Sequence, residues 1–201
     1  MQRAAVADVE PETPGEVVRR TLTGTLGTTH VAVNHYRLPP GEGLPGGLHA
    51  HADQEEVFVV AAGVATFETW TPGRRTDEGA AGEGDEVTVR AGEAVRFAPG
   101  EFQSGRNDGD ADLVVLAMGA PPDSEDLRLP VACPDCGHGE VRLDASGGEA
   151  TFGCPACGVD HVPGACPECG HADLHVALRD GEPRAVCRGC GAEFEEPPCR
   201  G

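Results

Sequence analysis

The stretch from Gly43 to Gly63, G-L-P-G-G-L-H-A-H-A-D-Q-E-E-V-F-V-V-A-A-G, constrains this chain more than any other. His49 and His51 stand two apart, so on an extended strand both imidazoles leave the same face. Glu56 opens an apolar run, Val57, Phe58, Val59 and Val60, which Gly63 ends. Two imidazoles and a carboxylate converging from neighbouring strands make a cation site with open coordination positions. That donor set suits Fe(II), Mn, Ni or Zn.

The offsets are those of a known pattern. Gly43, five residues, His49, one residue, His51, four residues, Glu56, six residues and Gly63 resemble the first motif of the cupin family. A version of the second motif follows in Gly92, Glu93, Ala94, Val95, Pro99, Gly100 and Asn107. Two positions depart from the family pattern. Ala98 replaces a proline, and Pro99-Gly100 still makes the turn. Gln103 stands where the family carries its fourth metal ligand, a histidine. The resemblance implies a jelly-roll barrel over residues 25–120. It also implies a barrel cation, one divalent Fe, Mn, Ni or Zn, held by His49, His51, Glu56 and Gln103. A glutamine would contribute a neutral amide oxygen, a weaker donor than imidazole. A barrel with an empty site is the other reading.

The hydrophobic pattern agrees with an all-β fold. Val31, Val33 and His35 alternate with Ala32, Asn34 and Tyr36, which predicts a strand over Thr29–Leu38. Further strands are expected over Val64–Trp70, Val87–Arg90, Ala94–Phe97 and Leu113–Met118, with a Gly-rich charged loop over 72–86. Short strands with turn signals between them describe a barrel or jelly roll. His35 is a candidate to support the barrel cation from behind, and Tyr36, Phe58, Phe67, Trp70, Phe97 and Phe102 are candidates for the core or the barrel mouth. Residues 1–24 read as an acidic, proline-dotted arm with a helical turn at Glu16–Arg20, and 121–130 as a linker.

Beyond residue 130 the chain turns to glycine and cysteine, too poor in large apolar residues to hold a core without a staple. Cys133-x2-Cys136 and Cys154-x2-Cys157 are separated by 17 residues, and Cys166-x2-Cys169 and Cys187-x2-Cys190 repeat that spacing with a period of 33. A glycine follows every pair, at Gly137, Gly158, Gly170 and Gly191, where a tight turn lets two thiolates reach one ion. Between the pairs of each unit the pattern reads as a hairpin. Both units, residues 131–160 and 164–193, resemble four-cysteine zinc ribbons, which implies two structural zinc ions. Redox-active pairs would need a helix after the first cysteine, and the internal Pro and Gly oppose one. Cys199 is left over, and His138, His161, His171 and His175 are surplus to two complete ligand sets. The ribbon region is expected to fold only with zinc and to melt on chelation while the barrel persists.

Charge narrows the partners. The chain has 34 acids against 15 bases, a net charge of −19, and every base is arginine. Such a surface repels nucleic acid and anionic lipid. Residues 127–201 alone carry six arginines against twelve acids, so the ribbons are not expected to bind nucleic acid. The lysine-free, acid-rich composition resembles proteins of salt-in halophilic archaea, including haloarchaeal cupins. A GC-rich genome would explain the missing lysine but not the acids. No signal-peptide core or membrane-length apolar run is visible, and a cytoplasmic location is expected.

Two functions stay open from sequence. One is a metal-dependent enzyme acting on a small molecule, since cupins include dioxygenases and sugar isomerases. The other is a non-catalytic small-ligand or regulatory module whose ribbons dock a partner protein. Dimerisation through the outer sheet of the barrel is compatible with both.

Overall fold

The computed structural model describes residues 1–13, 16–72 and 82–200. Its strands are β1 (Val18–Thr21), β2 (Ala32–Leu38), β3 (Ala50–His51), β4 (Glu55–Ala62), β5 (Val64–Thr71), β6 (Glu83–Arg90), β7 (Ala94–Phe97), β8 (Phe102–Arg106) and β9 (Leu113–Ala120) in the first half. The second half holds β10 (Leu127–Leu129), β11 (Val141–Asp144), β12 (Thr151–Gly153), β13 (Asp160–Pro163), β14 (Leu174–Arg179), β15 (Glu182–Cys187), β16 (Glu193–Phe194) and β17 (Cys199–Arg200). A short α-helix, Thr23–Leu26, links β1 to β2. The all-β expectation holds.

Two antiparallel sheets form the barrel. One runs β1-β2-β9-β4-β7 and the other β6-β5-β8. Strand alternation sets the interior: along β9, Leu113, Val115 and Ala117 are buried and their neighbours are partly exposed. The neighbouring strands β2 and β4 add Leu38 and Val60, and the facing sheet adds Ala65 and Val89, around a triad of rings, Phe58, Phe67 and Phe97, with centroids 5.0–6.0 Å apart.

Three stretches differ from expectation. Residues Val18–Thr21, read as arm and helical turn, form β1, because the outer edge of β2 offers unpaired backbone groups that Val18–Thr21 satisfies in register with Arg37–Asn34. The loop expected over 72–86 is shorter: Glu83–Glu86 extend β6 along β5, pairing Thr71↔Glu83 through Glu68↔Glu86. These polar residues face solvent on an edge strand, so they lack the apolar alternation that marks a strand in sequence. Residues 73–81 of that loop lie outside the described residues. The stretch 121–130, read as a linker, contains β10, which bridges the two halves of the molecule. Leu127 and Arg128 pair with His51 and Ala50 of β3, and Leu127–Leu129 pair with Leu143–Val141 of β11.

The cysteine units therefore do not hang free. The first continues a six-stranded sheet, β17-β13-β12-β11-β10-β3, that ends on the barrel. The second forms its own sheet, β14-β15-β16, and bridges the barrel loop in parallel at Gly47↔Val176. A second hydrophobic cluster joins all three parts: Leu48, Ala50, Trp70 and Phe102 from the barrel meet Leu129, Val131, Val141 and Val176. Among the described residues no helix is long and apolar enough to cross a membrane.

Candidate metal centre

Alternation through residues 48–51 builds the site. Leu48 and Ala50 point outward into the second cluster, and His49 and His51 point into a cavity of about 480 Å³. Glu56, on the inward face of β4 with Phe58, enters the same cavity. One donor atom from each of His49, His51 and Glu56 lies within 4.8 Å of the others, and His51 Nε2 stands 3.7 Å from Glu56 Oε2. The imidazole rings sit edge to face at 85°, with centroids 5.0 Å apart.

Local hydrogen bonds prepare these groups. His49 Nδ1 donates to the Gly47 carbonyl at 2.8 Å, which leaves Nε2 as the free donor to a cation. Burial lowers the His49 pKa, and the Gly47 carbonyl partly offsets this. Burial, with the nearby His49, pulls His51 down to about 4. Burial pushes the Glu56 carboxyl up to about 7, against the Gln103 hydrogen bond. Both imidazoles are thus neutral at pH 7 with lone pairs available, and a buried carboxylate lacks a full counter-charge. Chemically this set fits a divalent first-row cation.

Gln103 is 3% exposed and shares the cavity, and its Nε2 donates to Glu56 Oε2 at 2.9 Å. The amide acts here as a hydrogen-bond donor that orients the carboxylate. A ligand role would require the amide to turn its oxygen toward the cation. The two roles predict different mutants. If orientation dominates, Gln103→Ala weakens metal binding by about 10–100-fold, as loss of an outer hydrogen bond does. Gln103→His supplies a fourth imidazole and tightens it. Calorimetric titration with Mn(II) measures both, and equal affinity in all three proteins removes either role from Gln103.

Sequence reasoning missed other lining residues. Arg19 from β1 reaches the cavity, paired with Glu12, and interacts with the Tyr36 hydroxyl. Asn34 and Gln54 also line it, as do Asp123 and Ser124 from the former linker, and Tyr36, a barrel-mouth candidate from sequence, lines it too. The 121–130 stretch is tied to the metal loop: Ser124 Oγ donates to Asp53 at 2.6 Å, the Glu125 amide to Asp53 at 2.7 Å, and the Ala52 amide to the Asp126 carbonyl at 2.8 Å. Because Asn34 and Tyr36 face the cavity, His35 between them points the other way and does not support the site.

The cysteines assemble as the spacing predicted. Cys133, Cys136, Cys154 and Cys157 form one cluster, and Cys166, Cys169, Cys187 and Cys190 the other, with all four sulfurs of each within 4.8 Å. The closer sulfur pairs stand 3.6–3.8 Å apart. Four thiolates at about 2.3 Å from a tetrahedral ion would be about 3.8 Å apart, so the clusters match that geometry. The glycine after each pair takes a positive φ, between 67° and 76°. His161 Nε2 lies 3.2 Å from Asp135, outside a ligand set that is already full. Cys199 belongs to neither cluster, and its thiol donates to the Pro197 carbonyl.

Comparison with known proteins agrees with the fold. Residues 34–119 match the Cupin_2 family, described as a cupin domain, which supports the cupin family for the barrel. A sugar phosphate isomerase of the cupin superfamily from Silicibacter pomeroyi has a similar structure, with TM-score 0.52 and 20% identity, covering 77% of this chain and 94% of that one. A Klebsiella pneumoniae protein with a double-stranded β-helix domain gives TM-score 0.47 at 18% identity, over 63% and 95%. Oxalate decarboxylase from Lactobacillus farciminis gives TM-score 0.47 at 16% identity over 59% of this chain, which spans 32% of that enzyme. No curated protein matches the sequence. Residues 34–119 thus match a cupin domain, with a His/Glu donor set in its cavity, and two four-cysteine clusters follow it.

Proposed function

We propose that the barrel holds one divalent transition metal and presents it to a small anionic molecule, as a metal-dependent cytoplasmic enzyme of the oxygenase or isomerase kind. The observation that carries this reading is one cavity combining the His49, His51 and Glu56 donors with Arg19. The bound cation would act as a Lewis acid on an oxygen of a chelating ligand. Arg19 offers the second anchor: a carboxylate or phosphate on that ligand displaces Glu12 from the guanidinium and gains a bidentate partner. Tyr36, whose pKa burial raises, keeps its proton near neutral pH and serves as a donor beside Arg19. Gln103 holds Glu56 toward the cation. Each cysteine cluster takes a structural zinc.

Metal analysis of protein purified in molar salt tests this. Two zinc ions and one further Fe, Mn or Ni per chain are expected. His49→Ala should keep both zincs and lose the third metal, by more than the about 10–100-fold that follows loss of an outer hydrogen bond. Zinc at two per chain and no binding of added Mn(II), Fe(II) or Ni(II) would refute the barrel site. Once loaded, turnover of small 2-oxo acids or sugar phosphates supports the enzyme. Ligands bound and returned unchanged support the alternative, a non-catalytic binding module.

A further inference from the structure

The alternation that turns His49 and His51 into the cavity turns Leu48 and Ala50 out of it, where they are 0% and 1% exposed. Barrel residues do not cover them alone. Their cluster includes Val176 of the second cysteine unit, and Val131, Val141, Cys133 and Cys154 of the first. The second unit also makes a backbone contact beside one of the two histidines, and the first is joined to the other through β10. The Leu48 amide donates to the Val176 carbonyl at 2.7 Å, and Val176 lies on β14, paired with Ala185, two residues before Cys187. Gly47, bridged to the same residue, supplies the carbonyl that accepts from His49 Nδ1. The packing there is close: Gly47 has φ +68°, and a Cβ at that position would stand 2.6 Å from the Val176 carbonyl oxygen. On the other side His51 pairs with Leu127 of β10, and β10 pairs with β11, inside the first unit.

We propose that the two cysteine units are clamps on the barrel metal site, the second setting His49 and the first setting His51, so that metal in the units controls metal affinity in the barrel. This rests on the barrel site proposed above. The physical argument is short. A unit of about 30 residues with so little apolar content holds its hairpins only with the ion bound. Without it, Val176 no longer anchors Gly47 and Leu48, the Gly47 carbonyl is released, and the His49 ring loses the bond that fixes its tautomer and direction. Loss of β10 pairing frees His51 in the same way. Linkage makes the effect reciprocal: barrel metal must tighten the binding of metal by the units.

The test uses the full chain with Mn(II) as probe, because Mn(II) favours nitrogen and oxygen donors over the thiolate clusters. Cys169→Ser/Cys190→Ser and Cys136→Ser/Cys157→Ser each remove one zinc, and each is expected to weaken Mn(II) binding by roughly tenfold or more, within the ordinary range of coupling between sites. Gly47→Ala leaves every thiolate in place and acts at the contact, through the close Val176 carbonyl and the positive φ of residue 47. It is expected to keep both zincs, weaken Mn(II) binding by a similar factor, and alter the Mn(II) electron paramagnetic resonance spectrum, which reports ligand geometry. That variant carries the test should the cysteine variants fail to fold. In wild type, saturating Mn(II) should reduce the zinc transferred at equilibrium to a competing chromogenic chelator, and His49→Ala should abolish the reduction. A Gly47→Ala protein with two zincs, wild-type Mn(II) affinity and an unchanged spectrum would overturn the clamp. So would an equilibrium zinc transfer indifferent to Mn(II). Mn(II) binding by His49→Ala as tight as wild type would instead overturn the barrel site itself, so the two failures are distinguishable.

Discussion

A chain ending at residue 126 is expected to lose the cooperative fold of the barrel. Truncation strips the cover from Leu48, Trp70 and Phe102, which are 0%, 8% and 3% exposed in the intact protein. It also removes β10, the partner of β3, which carries His51. Burying one large apolar side chain contributes about 1.5–3 kcal/mol, so these three together contribute about 5–9 kcal/mol. Even half of that sum is a large part of the about 5–15 kcal/mol that holds a typical domain folded. Zinc removal from the full chain should act in the same direction, lowering the stability of barrel and units together. The sequence-based expectation of a barrel that persists when the ribbons melt meets a direct obstacle in the shared cluster. Chemical denaturation of the two chains, followed by tryptophan emission from Trp70 and by circular dichroism, measures the difference. A 1–126 chain with a midpoint near that of the whole protein would show that the cluster contributes little.

Glu56→Gln should stabilise the metal-free protein above pH 7 while removing barrel metal. Burial raises the Glu56 carboxyl to about 7 from an ordinary 4.5. The folded state therefore holds a proton that the unfolded chain has given up, and folding weakens as pH rises between those two values. Above pH 7 the ionised carboxylate costs about 3 kcal/mol at the conversion of 1.36 kcal/mol per unit. Glutamine removes the charge and the slope. Metal reverses the balance, since a bound cation repays the desolvation of the carboxylate. Metal-free wild type should lose stability from pH 4.5 to 7 and Glu56→Gln should not, whereas saturating Mn(II) should stabilise wild type alone. Parallel pH profiles in the two metal-free proteins would show that Glu56 is not the strained group.

Much of both sites was legible because their rules are local. The period of two along a strand placed His49 and His51 on one face from their spacing alone, and Glu56 joined them because β4 runs beside the same cavity. Two thiolates with two residues between them and a glycine after them suit a knuckle, and the four glycines take the positive φ of that turn. In the structure the same alternation turns Leu48 and Ala50 away from the histidines. What covers them was not legible, because that depends on where units more than 70 residues away in sequence pack.

Tertiary structure alone decided the rest. Three residues, Leu127–Leu129, make no periodic signal, yet β10 joins the barrel to the first unit because two open strand edges flank it. Arg19 enters the cavity only because β1 pairs with β2, a pairing fixed by a free backbone edge and not by side-chain pattern. Gln103 reads as a fourth ligand by position, but the direction of its amide depends on the nearest buried charge, and that charge is Glu56. Residue type and spacing carry donor chemistry and strand face. Pairing partners, cover for the outward face and the orientation of a neutral amide are long-range choices, settled by whichever contacts satisfy buried groups once the chain has closed.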